Sequence, residues 1–118
     1  MATLRPTIKL IAPSNRREAL QTMFCDVFGA RLRPVAPHLD VYELDGGGSI
    51  GVELVPEWQA LTATQQREAG TWLEFGVADP AAAIATLDRL GLQRVAYHDQ
   101  AHTYFAAPSG HVFRIAQA

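Results

Sequence analysis

This chain of 118 residues is 48% hydrophobic and 19% charged, a composition that excludes intrinsic disorder and suits about one domain. The net charge is −2 and no basic run occurs, so the sequence lacks the cationic face that nucleic acids and anionic membranes select. Its single cysteine, Cys25, excludes an intrachain disulfide framework and a cysteine-rich zinc site. No apolar run approaches the ~20 residues of a membrane-spanning helix, and we expect a cytoplasmic protein with neither a nucleic-acid nor a membrane partner.

The first half of the chain predicts a strand, a helix and three further strands. Apolar and polar side chains alternate over residues 7–12, as in a half-buried strand. We expect Asn15 and Glu18 to cap the following helix as a variant capping box, and Gly29 to end it. The apolar stripe of this helix comprises Leu20, Met23, Phe24, Val27 and Phe28. The three strands are predicted near residues 31–35, 40–44 and 49–55.

The second half repeats this order after a polar linking segment. Residues 56–70 are rich in helix formers and close with Gly70, which predicts one or two helical turns. A strand is predicted over residues 71–77, and a helix runs from Asp79-Pro80, a cap followed by a proline at the first helical position, to Gly91. Three more strands are predicted over residues 93–97, 103–106 and 111–116.

The repeated order predicts an α+β fold of two tandem βαβββ modules. We expect a single domain over residues 1–118, with module one at about 5–56, a linker at about 57–70 and module two at about 71–118. Neither half has two faces to bury alone, so we expect the halves to pack on each other or on a partner chain.

Several short motifs resemble the vicinal oxygen chelate superfamily, which includes glyoxalase I, extradiol dioxygenases and the bleomycin-resistance proteins. They are residues 73–80 (LEFGVADP), 90–91 (LG) and 104–111 (YFAAPSGH) in module two, with weaker matches at 27–29 (VFG) and 51–54 (GVEL) in module one. The resemblance implies cupped sheets with helices on the convex face and ligands on the concave face. In enzymes of the family, the first and last strands of each module hold a divalent metal there.

The positions that hold the metal in that family carry other residue types here. The resemblance places Thr7 or Lys9, Glu53, Trp72 and Arg114 at these positions. Only Glu53 is a metal-ligand type, and a catalytic site needs about three such ligands. We therefore expect no metal and no cofactor, with a divalent metal as the alternative.

An arginine-centred site takes the place of the metal in this interpretation. We expect Arg114 to supply the positive charge, to pair with Glu53, and to release it for an anionic or carbonyl-bearing ligand. Trp72 would form an aromatic wall and Glu74 a second polar contact. The predicted ligand-binding residues are Lys9, Glu53, Trp72, Glu74 and Arg114, and no catalytic residue is assigned. A purely structural ion pair and a core-packing Trp72 remain open as alternatives.

Other chemically active side chains are assigned structural roles. His98 and His102, with Asp99 between them, fall in a predicted exposed turn rather than a metal site. His111 follows a turn glycine, which suggests a local hydrogen bond. Tyr104 lies on a predicted strand whose inward face the sequence does not decide.

The favoured function is metal-independent binding of a small organic ligand, for sequestration or sensing, by a homodimer. One alternative is a metal-dependent lyase, isomerase or dioxygenase of the same superfamily. Another is a non-catalytic interaction module whose cup is filled by side chains. The sequence does not identify the ligand.

Overall fold

The chain forms two β-sheets, each flanked by helices, in a computed structural model that describes residues 1–69 and 71–118. Its contacts divide it into two units, Met1–Gln59 and Ala60–Ala118. Gly70, the predicted end of the linking segment, lies outside the described residues. Within the described residues, no helix has the length and apolar character to cross a membrane. The predicted α+β class is confirmed.

The first unit contains a four-stranded sheet in the order β1-β4-β3-β2. Its outer strand β1 runs parallel to β4, and the other two pairings are antiparallel. This order brings the first and last strands of the unit side by side. The strands are β1 (Thr7–Pro13), β2 (Arg31–Ala36), β3 (Leu39–Glu43) and β4 (Ser49–Val55).

The predicted first helix is present, but its start differs from the prediction. A 3₁₀ turn (Ser14–Arg16) follows β1 directly, then α1 (Arg17–Gln21) and a wider π-helical turn (Thr22–Val27). No side chain caps these segments, because Asn15 lies inside the 3₁₀ turn rather than before the helix. Gly29 ends the helix with φ 69°, as predicted.

The core of the first unit lies on one face of its sheet. The rings of Phe24 and Tyr42 are 4.5 Å apart, which joins the helix to β3. Asp40 is on the same face of β3 and is 1% exposed. Its carboxylate accepts two hydrogen bonds from Arg17, from Nε at 2.9 Å and Nη2 at 2.6 Å, while Nη1 donates to the Pro37 carbonyl. This pair, which the sequence did not predict, ties α1 to the β2–β3 hairpin.

The second unit contains a three-stranded sheet in the order β5-β7-β6, with β5 parallel to β7. Helix α2 (Ala63–Ala69) supplies the helical turns predicted for the linking segment. It begins with a capping box in which Thr62 and Gln65 exchange side chain-to-backbone hydrogen bonds. The strands are β5 (Leu73–Val77), β6 (Thr103–Ala106) and β7 (Val112–Gln117).

Helix α3 (Pro80–Arg89) packs against β5 and β7 and has the predicted ends. Asp79 accepts a hydrogen bond from the Ala82 amide at 3.1 Å, and Gly91 adopts φ 81° after the last turn. The strand predicted at residues 93–97 is reduced to a single bridge between Arg94 and Phe105. The chain then leaves β6, because residues 99–102 form a loop hydrogen-bonded around a carboxylate.

The two faces of the second sheet differ sharply in chemistry. Phe75, Phe105 and Phe113 form the buried face, with Phe113 centroids 5.5 and 5.8 Å from the other two rings. Alternation along the strands places Glu74, Tyr104 and Arg114 on the opposite face. This polar face carries the candidate site.

Candidate ligand-binding site

The guanidinium of Arg114 is the centre of the polar face. Its Nε donates to Glu74 Oε1 at 2.6 Å, and Nη1 lies 3.2 Å from the Tyr104 hydroxyl and 3.4 Å from Asp99 Oδ2. Strand register explains the first contact, since Glu74 on β5 is the direct neighbour of Arg114 on β7. We call Arg114, Glu74, Asp99 and Tyr104 the Arg114 cluster. Tyr104 and Glu74 raise the pKa of the Arg114 guanidinium.

Asp99 receives the remaining hydrogen bonds of the cluster. The Tyr104 hydroxyl donates to Oδ2 at 2.8 Å, the Ala101 amide donates to Oδ1 at 2.8 Å, and His102 Nδ1 lies 2.7 Å from Oδ2. These donors lower the pKa of Asp99 to about 2, and the Tyr104 hydroxyl has the largest effect. Burial raises the pKa of Tyr104. Asp99 is therefore an ionised acceptor at neutral pH, and Tyr104 is a neutral donor to it.

Two aromatic rings, those of Trp72 and Tyr97, border the cluster and pack against its Tyr104 ring. The Trp72 ring meets Tyr97 edge-on at 4.6 Å and Tyr104 at 5.4 Å, and the two tyrosine rings are 5.3 Å apart. The Trp72 indole N–H donates to the Gln66 carbonyl at 3.3 Å, which fixes the ring against α2. Trp72 and Tyr97 are half-buried, so part of their aromatic surface is accessible to a ligand next to the Arg114 cluster.

We expect acid to weaken this network only at very low pH. A carboxyl whose pKa is lowered by folding stabilises the fold above its unfolded value, and that stability is lost as pH falls through the folded value. The stability that Asp99 contributes is therefore lost as the pH falls from 3.8, its ordinary pKa, to about 2, its pKa in the folded chain. Asp99→Asn should therefore melt below the wild type at neutral pH, and the difference should shrink across this range. Thermal melts against pH measure it.

The control for this series is Asp45→Asn, because the Asp45 side chain is 95% exposed. Its melting temperature should follow the wild type at every pH. An Asp99→Asn difference that stays constant down to about pH 2 would contradict the lowered pKa.

The first unit carries a second ion pair on the outward face of its sheet. Lys9 Nζ lies 2.7 Å from Glu53 Oε1, and this contact lowers the pKa of Glu53. Lys9 rather than Thr7 is therefore the β1 residue that contacts Glu53. The charges are reversed relative to the second unit, where the first strand carries the acid and the last strand carries the base.

The structure brings the predicted site residues together in two groups. Trp72, Glu74 and Arg114 share the polar face of the second unit, and Lys9 pairs with Glu53 in the first. The predicted pairing of Arg114 with Glu53, which would join the two units, stays a prediction; within its own unit Arg114 contacts Glu74, and Glu53 contacts Lys9. Each charge has a neighbour of opposite sign on the adjacent strand of its own unit. Glu74 is directly opposite Arg114, whereas Lys9 is two residues along β1 from the residue opposite Glu53.

The sequence missed Asp99, Tyr97 and Tyr104 as parts of the site. The predicted exposed turn at residues 98–102 is instead partly folded onto the polar face through Asp99, whose side chain is 22% exposed. The alternating positions of Trp72 and Glu74 indicated the polar face of the sheet. No sequence signal showed which side chains of β6 lie on that face. The predicted local hydrogen bond of His111 is present between its Nδ1 and Ser109 Oγ, which are 2.9 Å apart.

The donor set for a divalent metal is incomplete in the described part of the chain. No three His, Cys, Asp or Glu side chains there converge to hold an ion. Asp99 and His102 form a pair without a third ligand, and Glu53 faces the Lys9 ammonium. These residues do not fit a metal centre of three ligands.

Comparison with solved structures shows the fold. A fosfomycin resistance protein, FosX from Listeria monocytogenes, complexed with Mn(II) and sulfate, matches with a TM-score of 0.72 at 15% identity, over 100% of this chain and 92% of that one. FosX from Mesorhizobium loti gives 0.66 at 15% identity over 100% and 93%, and a possible glyoxalase from Bacillus cereus gives 0.70 at 14% over 97% and 98%. No family model and no curated protein sequence matches significantly.

These similarities confirm the predicted fold, which this chain shares with the FosX proteins and the possible glyoxalase. They contradict the expectation that a chain of this kind has no cofactor, because Listeria FosX is complexed with Mn(II) in two of the similar structures. That expectation rested on residue types at four aligned positions. Those positions do not decide which ligands the rest of such a fold supplies.

Proposed function

We propose that this chain binds a small organic anion or carbonyl compound on the polar face of its second unit, for sequestration or sensing. The observation that carries the proposal is the fixed guanidinium of Arg114. Its Nε and Nη1 are held by Glu74, Asp99 and Tyr104, while no hydrogen bond among residues 1–69 and 71–118 uses Nη2. A planar, oriented guanidinium is suited to a carboxylate or a similar oxyanion.

Charge balance indicates how an anion would enter. Glu74 and Asp99 already neutralise Arg114, so an incoming anion gains most when it replaces one of them beside the guanidinium. The Glu74 side chain is 49% exposed and that of Asp99 is 22% exposed. Breaking the Glu74 ion pair therefore costs less free energy, because its carboxylate is already partly hydrated. We therefore propose that the anionic group of the ligand replaces Glu74 at Nε of Arg114, while Trp72 contacts its apolar part.

Two substitutions at this site should change binding in opposite directions. Arg114→Gln should weaken binding about 10- to 100-fold, because it removes a charged hydrogen-bond partner. Glu74→Gln should tighten binding about two- to fivefold, because it removes the competing carboxylate. Isothermal titration calorimetry with glycolate, pyruvate, phosphonoacetate and fosfomycin as probes, with and without Mn(II), measures both.

The matched control is Arg94→Gln. Arg94 belongs to the same unit and pairs with Asp88 at 2.8 Å, but it lies over Phe105 on the opposite face. This variant should bind the probes as the wild type does. Equal losses for Arg94→Gln and Arg114→Gln, weaker binding in Glu74→Gln, or no binding of any probe would overturn the proposal.

A metal-dependent enzyme is the second candidate function. The similarity of the fold to FosX complexed with Mn(II) favours it. In this case Mn(II) should bind the protein in the absence of any organic ligand. Glu53→Gln should abolish that binding, because the resemblance places Glu53 at a position that carries a metal ligand in the family. The homodimer, the lack of a nucleic-acid partner and the cytoplasmic location stay predictions of the sequence.

A further inference from the structure

One ring nitrogen of His102 contacts the Arg114 cluster, and the other has no hydrogen-bond partner among the described residues. Nδ1 lies 2.7 Å from Asp99 Oδ2, while no hydrogen bond of the described residues involves Nε2. The side chain is 30% exposed, so a small molecule can reach it. The neighbouring His98 differs, since its ring lies tilted against Tyr97, with centroids 4.1 Å apart, and it has no carboxylate partner within the described chain.

The hydrogen bond to Asp99 fixes the tautomer of His102. An ionised carboxylate only accepts hydrogen bonds, so the proton of the neutral imidazole must be on Nδ1. Nε2 then carries the lone pair and acts as an acceptor. Asp99 is itself held by the Tyr104 hydroxyl and the Ala101 amide, which fixes the direction of the imidazole.

His102 and Arg114 contact the same carboxylate oxygen. His102 Nδ1 lies 2.7 Å from Asp99 Oδ2, and Arg114 Nη1 lies 3.4 Å from it. Both side chains are therefore held at one carboxylate oxygen, His102 with Nε2 uncommitted and Arg114 with Nη2 uncommitted among the described residues. One is an acceptor and the other is a charged donor, so together they match an anion that carries a hydroxyl group.

We propose that His102 Nε2 accepts a hydrogen bond from a ligand hydroxyl, so that the ligand class of this site is the small hydroxy acids. This inference rests on the proposed function, because it places the anionic group of the ligand on Arg114. Asp99 is a positioning residue that holds the acceptor tautomer. A bound ligand covers this acceptor, so an analogue that lacks the donor leaves Nε2 without a hydrogen bond in the complex and binds more weakly.

The first experiment needs no ligand. Two-dimensional ¹H–¹⁵N NMR of the full chain at mildly alkaline pH should show His102 protonated at Nδ1 and not at Nε2, with the signal assigned by its loss in His102→Phe. His98, which lacks a carboxylate partner among the described residues, should show the Nε2-protonated form that free imidazoles favour. Protonation of His102 at Nε2 would overturn the inference.

The second experiment compares glycolate with methoxyacetate, which has the same carboxylate but no hydroxyl hydrogen. Calorimetry should show about tenfold tighter binding of glycolate to the wild type. His102→Phe should remove this preference while retaining methoxyacetate binding, and His98→Phe should keep the preference.

The outcomes separate the two proposals. Equal affinity of the wild type for both acids would overturn the role of His102 and leave the Arg114 site intact. Loss of both acids in Arg114→Gln supports the site itself. Binding of neither acid to the wild type would contradict the hydroxy-acid class, and the other probes would still test the site.

Discussion

Gly110→Ala is expected to destabilise the second unit by about 3 kcal/mol or more. Gly110 has φ 91°, a conformation that alanine adopts only at a cost of about 1–2 kcal/mol. A β-carbon there would also lie 2.6 Å from the Leu61 amide nitrogen and 2.9 Å from its carbonyl carbon. Both atoms belong to the backbone, so no side-chain rotation relieves the clash. Urea unfolding followed by circular dichroism measures the loss.

Gly46→Ala separates the two causes. Gly46 has nearly the same φ, 89°, but no atom lies within 4 Å of its added β-carbon. Its substitution should cost only the conformational term, about 1–2 kcal/mol. Equal losses at the two positions would show that Leu61 does not approach Gly110 this closely.

Arg17→Met is expected to cost about 3 kcal/mol, the second large effect. The substitution leaves the Asp40 carboxylate, which is 1% exposed, without its cation inside the first unit. An unpaired buried charge costs several times more than a lost surface ion pair. The midpoint and slope of urea unfolding give the change in the free energy of unfolding.

The control is Arg33→Met, which breaks an equally short but exposed pair with Glu43 at 2.7 Å. It should change stability by about 0.5 kcal/mol or less. The double variant Arg17→Met, Asp40→Leu should recover much of the loss, because it leaves no buried charge. A single Arg17→Met variant as stable as Arg33→Met would contradict the role of the buried pair.

Local patterns predicted the elements of the fold well where one signal dominated. The Asp79 cap, the glycine ends at Gly29 and Gly91, and the strand Ser49–Val55 appear as expected, because each depends on neighbouring residues. The Asn15 cap failed because β1 runs straight into a 3₁₀ turn, and the helix start shifted past it.

The candidate site was only partly predictable. Alternation placed Trp72 and Glu74 on one face, and equivalent strands of the repeat pointed to Glu53 and Arg114. The actual partners depend on strand register, which pairs Glu74 with Arg114 across β5 and β7. Asp99 lies in a loop whose path is set by hydrogen bonds from Tyr104 and Ala101. Residue spacing in the sequence does not predict those contacts.

The most direct test of ligand binding at Arg114 uses the two tryptophans of the chain, Trp58 and Trp72. Pyruvate and fosfomycin are titrated into ¹⁵N-labelled protein while the indole N–H and arginine Nε–H signals are followed by NMR. The Trp72 and Arg114 signals should shift with a common saturation curve, and the signal of Trp58, which is 42% exposed, should stay in place. Shifts at Trp58 without shifts at Trp72 and Arg114, or no saturable shift at all, would contradict binding at the Arg114 cluster.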